Sequence, residues 1–179
     1  MKTKKITLIG LLVAVAFVLS YVESLLPISL GIPGIKLGLS NIVVVLCIYE
    51  LTAPQTFGVA MARILLMGLT FGSFSTLLYS FAGGILSFFC MLPLKRIDKF
   101  SVYGVSLVGG VAHNIGQILM AVLLLNTSLL LYYLPFLLVA GSISGMVIGF
   151  AAARLQKRLH VVFVNARGES DIPKSDKIE

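Results

Sequence analysis

The sequence has no tryptophan, two cysteines and seven acidic residues, and charged side chains of either sign make up only 12% of it. Each scarcity excludes something. Cys47 and Cys90 stand in separate apolar runs without a CxxC partner, so they are expected as small buried hydrophobes rather than as a disulfide or a thiolate metal site. No two of the acids are adjacent and none forms a DDxxD-like run. The clustered aspartates that hold magnesium against a diphosphate are therefore missing. A Walker A sequence is absent too, and with it ATP hydrolysis by that route. No catalytic residue, metal site or cofactor is assigned.

What fills the chain instead is hydrocarbon. Of 179 residues, 58% are apolar, more than a soluble domain of this size can hide, and the reading is an integral membrane protein. A crossing needs about 20 apolar residues, which leaves room for six or seven spans and none for a soluble catalytic domain. Spans are expected at Ile6–Leu26, Leu37–Ala53, Gln55–Phe71, Ser73–Leu94, Val102–Leu125 and Leu129–Ala153. The fold expectation is all-α, a six-helix transmembrane bundle over residues 1–160. The hydrophobic periodicity stops at Val161, so residues 161–179 are expected as a polar cytoplasmic tail. Lys2, Lys4 and Lys5 before the first span imitate a signal peptide, with Ala14-Val15-Ala16 as a nominal cleavage site, but five further spans favour a retained helix.

The formal charge of +7 is explained by orientation at a membrane surface rather than by nucleic acid. With the N-terminus inside, the inside set holds Lys2, Lys4, Lys5, Lys95, Arg96, Lys99, Arg154, Lys157, Arg158, Arg167, Lys174 and Lys177, twelve of the fourteen basic residues. Retention of Lys and Arg on the cytoplasmic side then puts both termini in the cytoplasm of a multi-pass protein of the cell membrane. Five or seven spans would leave a basic cluster outside. Only Lys36 and Arg63 stand apart from this pattern.

Pro54 makes the second and third spans a tight helical hairpin. Between the first two spans, Pro27, Gly31, Pro33, Gly34 and Gly38 forbid a regular helix, and irregular backbone at the membrane needs protein or water for its polar groups. Gly31, Pro33, Gly34 and Gly38 are expected to form a gating loop at the outer surface. In the last span Gly141, Gly145 and Gly149 recur every fourth residue, a smooth stripe that lets another backbone approach. Its partner is either a helix of this chain or another subunit. Gly10 and Ala14 form a shorter version in the first span.

Ionisable groups inside a span cost about 2.5 to 3.5 kcal/mol at its centre, so each needs a reason. Arg63 is at the midpoint of the third span, and its planar, permanently charged fork suits carboxylate or phosphate. His113 is near the midpoint of the fifth, beside Asn114 and one turn before Gln117, offering a titratable group and two amides. Lys36 and Asn41 lie at the outer end. Donors at mid-membrane depth beneath a Gly/Pro loop suggest an outward-opening polar cavity for a small polar or anionic solute. The alternative is purely structural, with Lys36 and Arg63 paired to Glu23 and Glu50. His160, in the basic tail, is expected at the surface.

Three stretches, Pro33-Gly-Ile-Lys-Leu-Gly-Leu-Ser-Asn41, Gly68-Leu-Thr-Phe-Gly72 after Arg63, and Gly109-Gly-Val-Ala-His-Asn114 with Gln117, resemble the bacterial membrane family labelled heptaprenyl diphosphate synthase component I, also called the Gx transporter family. That family is similar to the substrate-binding S components of energy-coupling factor (ECF) transporters. The resemblance implies six helices, cytoplasmic termini, and a mobile loop over an outward-facing site. It also implies a transmembrane coupling subunit and ATPases as partners, docking on small residues of the first helix, which Gly10 and Ala14 match approximately. The functional expectation is a solute-uptake subunit in contact with membrane lipid, with Arg63, His113, Asn114, Gln117, Asn41 and Lys36 as the substrate site. Its rival is a non-catalytic accessory subunit of the synthase named in the family label.

Overall fold

The computed structural model describes residues 2–25, 38–97 and 99–167. They form six α-helices and one 3-10 turn: α1 (Lys2–Leu25), α2 (Asn41–Glu50), α3 (Ala53–Thr70), α4 (Phe74–Lys95), α5 (Val102–Leu125), the 3-10 segment Ser128–Tyr133, and α6 (Leu134–Arg167). Four segments are long and apolar enough to cross a membrane: Thr3–Leu25, Phe74–Lys95, Val102–Leu125 and Ser128–Asn165. Their outward faces carry exposed Leu11, Val18, Leu119, Leu123, Val139 and Ile143, as contact with lipid tails requires.

The expected second span is shorter than its apolar run implies. α2 has 10 residues, about 15 Å at 1.5 Å per residue, half of a hydrocarbon core of about 30 Å. It sits inside the bundle, with Val43 to Ile48 and Glu50 all buried, so its continuous hydrophobicity reflects enclosure by protein. Val44, Val45, Leu46 and Ile48 pack with Phe88 and Met91 of α4, Val105 of α5 and Ile148 of α6. On its other side Val43 and Cys47 meet Leu12 and Ala16 of α1, Val59 of α3 and Phe163 of α6.

The last helix is longer than expected. α6 has 34 residues and continues past Val161 to Arg167, with Phe163 and Val164 buried. Phe163 reaches the α1–α2 cluster, which accounts for helix persisting where the simple periodicity ends. His160 is at the surface as expected, with 41% of its side chain exposed, but it is tied there to a buried Glu50. The Glu50 side chain is 2% exposed, and His160 Nδ1 lies 3.2 Å from it.

The turns follow local chemistry. Between α2 and α3, Thr52 caps α3 with its N–H donating to Gln55 Oε1 at 3.2 Å, Pro54 falls in the first turn, and Thr56 Oγ1 donates to Cys47 O at 2.8 Å. Between α3 and α4, Ser73 and Thr76 form a reciprocal capping box. Asn126, with φ +50°, ends α5 in the left-handed region.

Glycines set how closely α4, α5 and α6 approach. A Cβ at Gly116 of α5 would stand 2.6 Å from Ala82 O of α4, and one at Gly83 of α4 would stand 2.7 Å from His113 O. Across the other face of α5, a Cβ at Gly145 would be 2.7 Å from Ser106 O, one at Gly141 2.9 Å from Gly110 O, and one at Gly149 3.0 Å from Tyr103 Cα. The α6 stripe thus lies on a helix of this chain. Gly10 has nothing within 4 Å, and Ala14 is exposed. Together these contacts hold α5, and with it His113, Asn114 and Gln117, between two backbones.

Candidate functional site

Antiparallel helices give the bundle two chemically different ends. At one end, Lys95 Nζ donates to Ile48 O, and Glu50 meets His160 and Gln156. The other end is where Glu23 of α1, Gly38 and the α3–α4 turn come together around a cavity of about 250 Å³. The basic groups Lys95–Arg96, at the end of α4, and Arg154–Arg158, in the C-terminal half of α6, do not line that cavity.

Arg63 projects from α3 into the cavity wall and is only 8% exposed. Its Nη1 donates to Ser40 Oγ, just before α2. Its Nε is buried without a partner. Among the described residues no carboxylate oxygen lies within 4.0 Å of the guanidinium. Glu50, one of the two acids considered as its partner, is nine residues along α2 from Asn41 and so about 13 Å further down the helix axis, where it engages His160. Glu23, the other, lines the same cavity but accepts from the Gly38 N–H through Oε1. Gly38 adopts φ +74°, a left-handed conformation that suits glycine and turns its N–H toward Glu23.

Of the six residues expected at a substrate site, the structure brings five to one cavity: Arg63, His113, Asn114, Gln117 and Asn41. They do not stand alike. Asn114 Nδ2 donates to Leu137 O at 2.7 Å, so this amide also ties α5 to α6. The side-chain amides of Asn41 and Gln117 make no hydrogen bond within the described residues, although both are half-buried on the cavity wall. Such groups call for water or a ligand. Lys36, with the loop residues Gly31, Pro33 and Gly34, lies outside the described residues, and of the expected gate only Gly38 is inside them.

The cavity wall also carries a set of hydroxyls. Ser20 and Ser24 of α1, Thr76 and Ser80 of α4, and Ser144 of α6 all line the cavity. The first four are pairs four residues apart, which is one face of a helix, and that spacing was the available signal. Beneath Arg63 and His113 a narrower void of about 20 Å³ continues toward Met91, and Ser106, whose buried Oγ has no partner, lines it. Among the described residues no three His, Cys, Asp or Glu side chains gather as a metal site needs. Among the described residues the arrangement is a polar cup with one buried cation, Arg63, at its wall.

The family model for heptaprenyl diphosphate synthase component I matches residues 12–155, which contain every element of this cup. The chain belongs to that family. Neither the curated proteins nor the solved structures contain a match. The family label names a component of a synthase, so protein partners are in keeping with it, and the membrane-helical architecture is in keeping with a membrane-bound component. In this member of the component I family, the matched region ends at Leu155, within α6.

Proposed function

We propose that this component I family member is a substrate-binding membrane subunit that captures a small polar or anionic solute in the cup and passes it inward with the help of partner subunits. The observation that carries this reading is Arg63: a buried guanidinium in a polar cavity, with no carboxylate in contact and its Nε unsatisfied among the described residues. A buried charge without a counterion in contact is costly, and an anionic group entering the cup offsets that cost. The Asn41 and Gln117 amides supply further hydrogen bonds, and His113 stands at the same depth. The polarity of the chain supports an outward cavity, because the basic helix ends fall at the opposite pole and cationic loops are retained in the cytoplasm. Lys36 and the residues Gly31, Pro33, Gly34 and Gly38 act in this proposal as the gate over the cup. Translocation is a shift between access states, energised by a coupling subunit and ATPases of the ECF kind, since the chain has no Walker A sequence of its own.

The test is thermal unfolding of the purified full chain against vitamins, flavin precursors and isoprenoid diphosphates. A ligand at a hundred times its Kd adds about 2.7 kcal/mol to stability, so a genuine ligand gives a clear upward shift that Arg63→Gln removes. No shift with any compound of the panel counts against the reading. The family label favours a second reading, a non-catalytic accessory subunit of a prenyl diphosphate synthase. Affinity purification separates the two. Co-recovery of ATPases supports uptake, and co-recovery of an aspartate-rich synthase supports the accessory role.

A further inference from the structure

The cup holds two opposite charges that do not neutralise each other by contact. Arg63 has no carboxylate oxygen within 4.0 Å, and Glu23 has no basic nitrogen within that distance among the described residues. Each is instead tied to the short segment that leads into α2, Glu23 to the N–H of Gly38 and Arg63 to the hydroxyl of Ser40. Two residues of chain span at most about 7 Å, so that segment holds a carboxylate near the mouth and a guanidinium further in, both on the wall of one cavity. Neither is spent by its present bond. A carboxylate has about four acceptor positions and a guanidinium five donors, and the Arg63 Nε is unpartnered.

This pair of charges selects among solutes. A purely anionic solute that reaches Arg63 brings its charge into the field of Glu23, and a purely cationic one drawn to Glu23 meets Arg63. A molecule with both charges satisfies both residues. Building on the reading of the cup as a solute site, we propose that its ligand is a small zwitterion, with a carboxylate or phosphate held by Arg63 and a protonated amine held by Glu23. Size agrees with this class. A cavity of about 250 Å³ equals the liquid volume of roughly eight waters at ~30 Å³ each, enough for an amino acid or a phosphorylated amino alcohol. The hydroxyls of Ser20, Ser24, Thr76 and Ser80 and the amide of Gln117 surround the space between the charges and suit a polar backbone. Phe71 of the same wall gives an amine at the mouth an aromatic face.

The experiment uses the full chain in phosphatidylglycerol nanodiscs, read by thermal unfolding and calorimetry. The probes are α-, β- and γ-amino acids and phosphoethanolamine, each set beside its deaminated acid and its acid-blocked amine. The expected result is that at least one zwitterion binds tenfold or more tighter than either of its singly charged counterparts. Glu23→Gln, which keeps an acceptor for Gly38, then equalises the zwitterion and its deaminated acid, and Arg63→Gln abolishes binding of both. Several results overturn the proposal. A deaminated acid that binds as tightly as its zwitterion, with Glu23→Gln silent, removes the charge pair while the solute-binding reading survives. Stabilisation by phosphatidylethanolamine nanodiscs with none from any free zwitterion assigns the cup to a lipid headgroup. Silence from every zwitterion, acid and amine removes the solute-binding reading as well.

Discussion

His160 Nδ1 lies 3.2 Å from both carboxylate oxygens of Glu50, bridging the last turns of α6 to the C-terminal end of α2 across 110 residues of sequence. Gln156 Nε2 reaches the same carboxylate at 3.2 Å. Because α2 is enclosed on all sides and too short to span the bilayer by itself, these contacts, with Lys95 on Ile48 O, fix the height of the helix that carries Asn41 and follows Ser40.

The first prediction concerns this clasp. His160→Ala removes one partner from a carboxylate that is 2% exposed. Leaving such a group under-bonded costs about 1 to 3 kcal/mol, and the remaining Gln156 contact puts the loss at the lower end. Thermal unfolding of the two single variants and the double variant with Glu50→Gln is expected to give a coupling energy of at least ~0.5 kcal/mol. Strict additivity sinks the clasp.

The second concerns the glycine seam. Gly145→Ala places a Cβ 2.7 Å from Ser106 O and 2.8 Å from Leu107 Cα, both backbone atoms that cannot swing aside. Overpacking of this kind costs about 1 to 3 kcal/mol. Gly10→Ala meets nothing within 4 Å and is expected to leave the isolated chain as stable as before. Denaturant unfolding of the two variants side by side checks the contrast, and equal effects would contradict the assigned packing.

Much of this architecture was legible because membrane helices advertise themselves by composition. The positions of α1, α4 and α5 follow directly from apolar run length, and the four-residue glycine spacing of α6 marks its packing face. Run length failed for α2, since hydropathy reports distance from water and not whether the neighbour is lipid or protein. The end of α6 was missed for a related reason. The short run Val161–Val164 lies between the basic stretch Arg154–His160 and the polar residues that follow, and the contact of Phe163 with α1 and α2 accounts for its burial. At the cup, Arg63 and His113 stood out by their cost in a bilayer, but Ser20, Ser24, Thr76 and Ser80 did not, because hydroxyls are cheap in a helix and carry no alarm. Glu23 was visible only as a possible counterion; that it reaches Gly38 and not Arg63 is a matter of three-dimensional reach.

A third prediction addresses orientation. The proposed orientation puts the α4–α5 turn, with Lys95, Arg96 and Lys99, in the cytoplasm and the α3–α4 turn outside. In a cysteine-free background, made by replacing Cys47 and Cys90, a cysteine at Gly72 is expected to react with a membrane-impermeant maleimide in intact cells. One at Lys99 is expected to react only after permeabilisation. The reverse pattern inverts the cup and rules out capture from outside.

The fourth prediction is about the sign of an effect. If Arg63 served to brace the bundle, removing it would leave a buried partner uncompensated, at a cost of about 3 to 5 kcal/mol. Among the described residues it has no carboxylate in contact and an unpartnered Nε, so its burial is itself a cost to the empty protein. Arg63→Met is therefore expected to raise the thermal stability of the ligand-free chain, or at least not lower it, while abolishing stabilisation by any ligand of the cup. Arg63→Lys keeps the charge but loses the planar fork, and is expected to bind the same ligand with affinity reduced about tenfold or more. Measuring ligand-free and ligand-saturated unfolding on all three proteins separates the roles. A large loss of stability in Arg63→Met without ligand would mark the residue as a brace, whereas a gain without ligand and a loss with it marks a site held ready for an anion.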